Sequence, residues 1–158
     1  MSFRVGIGFD VHRLVSNRDL ILGGVKIEHS KGLFGHSDAD VLTHAVMDSL
    51  LGAAGLPDIG VYFPDSDERW KGKSSLEMLF VVSETIRDNG FSVCNVDATV
   101  ICETPKLRPF IEEMKTNIAG CLGVDSFCIN VKATTTEKLG FTGKEEGIAA
   151  QAVCMLNC

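Results

Sequence analysis

The chain has 158 residues, a net charge of −6, 45% hydrophobic and 23% charged residues. That length suits one compact domain, 1–158, burying roughly 70% of its unfolded surface, and the balance excludes a disordered chain. The acidic sum leaves no basic stripe for nucleic acid, but it leaves an anionic small molecule open, because divalent ions and backbone N–H groups also hold phosphate.

Phe3, Val5, Ile7, Phe9 and Val11 alternate with Arg4, Gly6, Gly8, Asp10 and His12. This predicts a half-buried strand with an apolar inner row and a second row of small and polar residues. Leu20 to Ile27, with Gly23-Gly24 between apolar residues, reads as a hairpin or bulge. Ser37 to Ala54 is expected to be a helix capped by Ser37 or Asp38 and closed by Gly55. A long loop from Pro57 to Lys73 follows, of the kind that often carries function. Ser74 to Asn89 reads as a second helix, Phe91 to Cys102 as a strand, and Pro109 to about Leu122 as a third helix. Phe127 to Ala133 alternates again, and Ile148 to Leu156 is a short apolar run best read as a strand. The order predicts an α+β fold with helices on one face of a sheet.

No apolar run approaches the roughly 18 residues of a membrane span, and the chain enters a strand almost at once, so no membrane partner and no targeting segment are expected. Cys94, Cys102, Cys121, Cys128, Cys154 and Cys158 form no C-x-x-C pair and sit mostly among apolar neighbours. They read as reduced thiols in a reducing compartment.

Four clusters carry chemistry. Asp10 and His12 share one face of the first strand, so a carboxylate and an imidazole can meet one divalent ion. His44 lies on the flank of the first helix and offers a third ligand, with Asp40 and Asp48 four residues away as candidates to orient its ring. His36 and Ser37 sit at the expected N-terminus of that helix, where free N–H groups favour phosphate. The run Lys132 to Gly143 places three threonines and Glu137 directly after a strand, where hydroxyls suit phosphate oxygens and Glu137 suits a hard ion.

These segments together resemble the 2-C-methyl-D-erythritol 2,4-cyclodiphosphate synthase family. The matching runs are GFDVH at 8–12, HSDAD at 36–40, LLGAAGLPDIG at 50–60, FPD at 63–65, NVDATV at 95–100 and NVKATTTEKLGFTG at 130–143. The resemblance implies a ferredoxin-like α+β mixed sheet assembling as a homotrimer with active sites between subunits. It implies Zn²⁺ at Asp10, His12 and His44, and Mg²⁺ or Mn²⁺ at the diphosphate near Glu137. It assigns His36 and Thr135 to the transition state, and Asp58, Ile59, Gly60, Phe63 and Asp65 to the erythritol portion. Pro105, Lys106, Leu107 and Thr134 fall at the cytosine end, and Ser37, Thr136, Phe141 and Lys144 also fall among the substrate-binding positions. Two positions depart from the family pattern: Lys144 stands where Arg is common, and Gln151 where Glu is common. The implied reaction converts 4-diphosphocytidyl-2-C-methyl-D-erythritol 2-phosphate to the cyclic diphosphate and CMP, on the non-mevalonate route to isoprenoid precursors. The implied setting is the bacterial cytoplasm or, after loss of a transit peptide, the plastid stroma. The same three ligands would also serve a metal-dependent phosphohydrolase, and an inactive nucleotide-binding trimer is the non-enzymatic alternative.

Overall fold

The structure is a computed structural model that describes residues 2–158. Its elements are β1 (Phe3–Ser16), β2 (Leu20–Leu22), β3 (Val25–Ile27), β4 (Lys31–Leu33), α1 (Val41–Ala54), α2 (Ile59–Tyr62), α3 (Ser75–Asp88), β5 (Ser92–Ile101), α4 (Ile111–Leu122), β6 (Ile129–Thr134), α5 (Gly140–Gly143) and β7 (Gly147–Asn157). The main sheet runs β4-β1-β7-β5-β6, with a separate β2–β3 hairpin. β1 pairs antiparallel with β4 and β7, and β7 antiparallel with β5. β5 and β6 are parallel, so the sheet is mixed. The Gly23-Gly24 turn has positive φ at both residues, as a two-residue hairpin loop requires.

The expected elements are present, and β4, α2 and α5 are additional. β1 runs on to Ser16, because Leu14, Val15 and Ser16 find partners in β4. The first helix begins at Val41, four residues later than expected, because Asp40 caps it. Gly55 ends it in the left-handed conformation. The long loop holds α2 and a short 3₁₀ turn, Glu68–Trp70.

The alternation of β1 is correct, but the buried face is the other one. Gly6 and Gly8 are buried, whereas Phe3, Val5, Ile7, Phe9 and Val11 are 43–69% exposed. The reason is the close approach of α1. A Cβ on Gly8 would lie 1.9 Å from the Ala45 carbonyl oxygen, and one on Gly6 2.0 Å from that of Ser49. Only glycine lets the helix backbone sit so near the strand. Leu42, Ala45, Val46, Ser49, Leu50 and Ala53 of α1 are buried there, joined by Ile148, Ala150, Ala152, Cys154 and Leu156 from β7. The opposite face of the sheet carries the apolar row of β1 together with Val153 of β7.

All six cysteines are free thiols. Burial, reinforced by the charges of Glu103 and Glu145, pushes the Cys102 thiol up to about 12, and burial also raises Cys121 and Cys154. These thiols pack as small apolar groups.

Gly8→Val is expected to destabilise the chain by at least the 1–3 kcal/mol (about) of ordinary overpacking, because the new atoms meet backbone rather than a mobile side chain. A lowered urea midpoint at unchanged m-value checks this, and an unchanged midpoint would contradict the packing described.

Candidate active site

The glycine-mediated contact between β1 and α1 lays His44 beside Asp10 and His12. Asp10 Oδ2 lies 3.0 Å from His12 Nε2 and 2.9 Å from His44 Nδ1. The two ring nitrogens are 3.1 Å apart. Among the described residues, these three form the group of His and carboxylate side chains able to hold a metal ion. The edges fall a little short of the roughly 3.4 Å between ligands of a tetrahedral ion with bonds near 2.1 Å, so a small opening admits one. Two imidazoles and one carboxylate also form a donor set suited to zinc, with room for a fourth, non-protein ligand.

The protonation of His12 follows from its partner. Its Nδ1 is 2.8 Å from the Phe34 carbonyl oxygen, which only accepts, so Nδ1–H donates, and Nε2 is the nitrogen left to serve an ion in place of its contact with Asp10. Burial alone would raise the Asp10 carboxyl, but hydrogen bonds and charge from His12 and His44 outweigh it and hold the group well below the usual carboxylate range. For His12, burial acts downward, and the Asp10 hydrogen bond and charge reverse it to a net rise. A carboxylate held ionised against two imidazoles suits a divalent cation.

The expected partners of His44 are not the ones found. Its Nε2 faces Ser75 Oγ at 2.9 Å and Ser37 Oγ at 3.3 Å. Asp40 is fully buried and occupied elsewhere. Its Oδ1 accepts from Gly23 N at 2.9 Å and Thr43 N at 3.0 Å. Its Oδ2 accepts from Gly24 N at 2.8 Å and Thr43 Oγ1 at 2.7 Å. Asp40 thus caps α1 and ties it to the β2–β3 turn. Asp48 accepts from Ile59 N at 2.9 Å and fixes the start of α2. Spacing by four along a helix places these carboxylates on one side of α1, yet both bind backbone N–H groups. The helix cap is therefore Asp40 rather than Ser37 or Asp38, and His36 and Ser37 stand before the helix rather than in its first turn.

His36 and Ser37 nevertheless line the cleft that opens over the triad. Ile59, Gly60, Phe63 and Asp65 line it from the α2 segment, with Trp70 and Met78, which sequence reasoning missed. Phe63 is buried and packs edge-on against Trp70 at 4.7 Å, a ring pair that supports this wall. Asp58 lies at the N-terminus of α2, where its Oδ1 accepts from Gly60 N at 2.9 Å.

The remaining site residues are at the same end of the sheet but three strands away. β1, β5 and β6 run in one direction, and Asp10, Ala150, Val100 and Ala133 are level across the ladder. Three spacings of about 4.8 Å separate Asp10 from the end of β6 by about 14 Å. Thr134 ends β6 and Thr135, Thr136 and Glu137 follow it, while Pro105, Lys106 and Leu107 follow β5. Thr134, Thr135, Glu137, Lys106, Phe141 and Lys144 are exposed, and Leu107 is buried. Thr135 Oγ1 donates to Glu137 Oε1 at 2.9 Å. Thr136 Oγ1 faces inward, donating to the Leu139 carbonyl at 2.6 Å beside Thr142 Oγ1 at 2.8 Å. Glu137 and Lys138 both hold positive φ. Glu103 anchors this loop, accepting from Thr136 N at 3.0 Å and Lys138 N at 3.1 Å. Its role was missed, because Glu103 reaches this loop only through the parallel pairing of β5 and β6.

Residues 3–157 match the family model described as the YgbB family. The chain is 58% identical over 153 residues to 2-C-methyl-D-erythritol 2,4-cyclodiphosphate synthase of Clostridium acetobutylicum, across 97% of this chain and 99% of that protein. It is 60% identical to the protein of the same name from Agathobacter rectalis, across 97% of this chain and 86% of that one. Among solved structures, it resembles the bifunctional IspDF from Campylobacter jejuni with a TM-score of 0.94 and 48% identity, covering 98% of this chain and 42% of that longer one. It resembles the CDP complex of Plasmodium falciparum IspF with a TM-score of 0.86 and 34% identity, covering 98% and 96%. Fold, motifs and near full-length similarity agree, and the chain belongs to the YgbB family.

Proposed function

We propose that this chain is a cyclodiphosphate synthase whose one domain, 1–158, converts 4-diphosphocytidyl-2-C-methyl-D-erythritol 2-phosphate to 2-C-methyl-D-erythritol 2,4-cyclodiphosphate and CMP. The observation that carries the reading is the Asp10–His12–His44 triangle opening into a cleft lined by His36, Ser37 and the α2 segment. The names of the relatives and the CDP bound to the Plasmodium falciparum neighbour support it.

In the reaction, an oxygen of the 2-phosphate forms a bond to the β-phosphorus. The bond from that phosphorus to the bridging oxygen breaks, and CMP leaves with the electron pair. Zn²⁺ at the triad and Mg²⁺ or Mn²⁺ held by Glu137 with the diphosphate would offset the repulsion between these anions and orient the in-line displacement. The chain's own groups do the rest. His36 and Thr135 steady the phosphate oxygens, with Ser37 and Thr136 beside them. Asp58, Ile59, Gly60, Phe63 and Asp65 position the erythritol portion, and Pro105, Lys106, Leu107 and Thr134 receive the cytidine. Phe141 and Lys144 complete the substrate-binding positions. No covalent enzyme intermediate is required, and rate comes from position and charge.

The site is assembled between chains of a homotrimer in this reading. Two features support it: the triad and the threonine loop are three strands apart in one chain, and the row Phe3, Val5, Ile7, Phe9 and Val11 offers a large apolar face for another copy. The bacterial relatives support a cytoplasmic setting. No helix of the described residues is long and apolar enough to cross a membrane.

A phosphorus NMR time course with the cytidine substrate, Zn²⁺ and Mg²⁺ tests the reaction. CMP with coupled cyclic-diphosphate signals is expected, and inorganic phosphate would point to a hydrolase instead. Asp10→Asn and His44→Ala are each expected to lower turnover by at least about 10²-fold while keeping the oligomer, and near-normal activity in either would refute the metal assignment. Light scattering is expected to give three chain masses for the wild type and a smaller species for Ile7→Asp, which places a charge in the apolar row.

A further inference from the structure

His44 is the most buried of the three candidate ligands, and its ring has two nitrogens with different surroundings. Nδ1 points at Asp10 and His12, and Nε2 points away, 2.9 Å from Ser75 Oγ. Ser75 is fully buried at the first position of α3. Its hydroxyl donates to Asp38 Oδ1 at 2.5 Å, and its backbone N–H donates to Asp38 Oδ2 at 2.9 Å. Asp38 in turn accepts from Asp40 N at 3.2 Å, and its own N–H donates to the Lys73 carbonyl at 3.1 Å.

A serine hydroxyl has one hydrogen and two lone pairs. An ionised Asp38 only accepts, so the Ser75 hydrogen is committed to it. What Ser75 turns towards His44 is therefore a lone pair, and His44 Nε2 must be the donor. Nδ1 faces the Asp10 carboxylate at 2.9 Å; once an ion takes the place of that contact, the proton held on Nε2 leaves the Nδ1 lone pair to the ion. The second neighbour, Ser37 Oγ, accepts from Ala39 N and stands farther away at 3.3 Å, so the nearer Ser75 contact sets the polarity of Nε2.

The geometry points to Asp38 and Ser75 as positioning residues that act through His44, holding its Nε2–H so that Nδ1 serves as a metal ligand. The inference rests on the metal reading given above. It also gives His44 what Phe34 gives His12, an acceptor for the ring nitrogen that faces away from the ion. The difference is that a backbone carbonyl can only accept, whereas a serine can reverse. Asp38 removes that freedom. Such outer hydrogen bonds raise ligand basicity and fix ring orientation, and their loss typically lowers metal affinity by about 10–100-fold.

The test measures zinc affinity by chelator competition in the full-length chain for wild type, Ser75→Ala, Asp38→Ala and the double variant. Ser75→Ala is expected to weaken zinc by about 10-fold or more. Asp38→Ala should weaken it too. The double variant should be little worse than the weaker single one, because both changes break one chain of contacts. In the zinc-loaded wild type, the His44 Nε2 proton should appear as a slowly exchanging downfield signal bonded to ¹⁵N, lost in Ser75→Ala. Unchanged zinc affinity in Ser75→Ala, or additive losses in the double variant, would overturn the proposal. So would a wild type without the protected Nε2 proton. If Asp38→Ala does not fold, Ser75→Ala, which removes a single oxygen, decides the matter alone. A wild type that takes up no zinc would strike the metal reading itself, and this proposal with it. Zinc bound equally by wild type and Ser75→Ala would strike this proposal only.

Discussion

The close approach of α1 to β1 is the constraint on which the rest of the structure depends. With a helix carbonyl 1.9 Å from where a Gly8 Cβ would stand, no other residue type fits without moving backbone. Two consequences follow from this one contact. The helix brings His44 within 2.9 Å of the Asp10 carboxylate. The strand must also turn its larger residues the other way, so Phe3, Val5, Ile7, Phe9 and Val11 face outward. A triad able to hold a metal ion and an exposed apolar face therefore come from the same packing decision.

The two halves of the proposed site share an end of the sheet but not a location. Asp10 and His12 lie towards the end of β1, while the threonine loop follows β6, three strands across. Each half is held firmly by its own surroundings. The triad is framed by Phe34, Ser75 and Ser37, and the loop by Glu103. In the proposed cyclic assembly, burial of the β1 apolar face and completion of the site are one event, so association and catalysis would be coupled.

Much of this was legible in the sequence. The alternation of β1, the Gly23-Gly24 hairpin and the helix over Leu42 to Ala53 follow from local periodicity and turn chemistry. The triad was legible too, because Asp10 and His12 share a face and His44 lies on a helix flank. What failed were choices that only tertiary packing makes. The apolar row of β1 was expected inside, but two glycines in the other row mark where a helix backbone sits, and the apolar row is left for another surface. Asp40 and Asp48 were placed beside His44 by helical spacing, yet backbone N–H groups of Gly23, Gly24 and Ile59 compete for them. The pair that does support His44, Ser75 and Asp38, is separated by 37 residues and left no local signal. Glu103 was missed for the same reason, since it meets the loop 33 residues onward only through the parallel pairing of β5 and β6.

The central claim is that one chain supplies the metal triad and another the threonine loop. It is tested most directly by co-producing His44→Ala and Glu137→Ala chains, each inactive alone, and assaying the mixed oligomers. If the halves come from different chains, a mixed trimer contains one interface with an intact triad facing an intact loop. Random mixing should then restore roughly one quarter of the wild-type activity, as cyclic symmetry requires. Mixed oligomers that form but remain as inactive as either parent would contradict the account and place the whole site within a single chain.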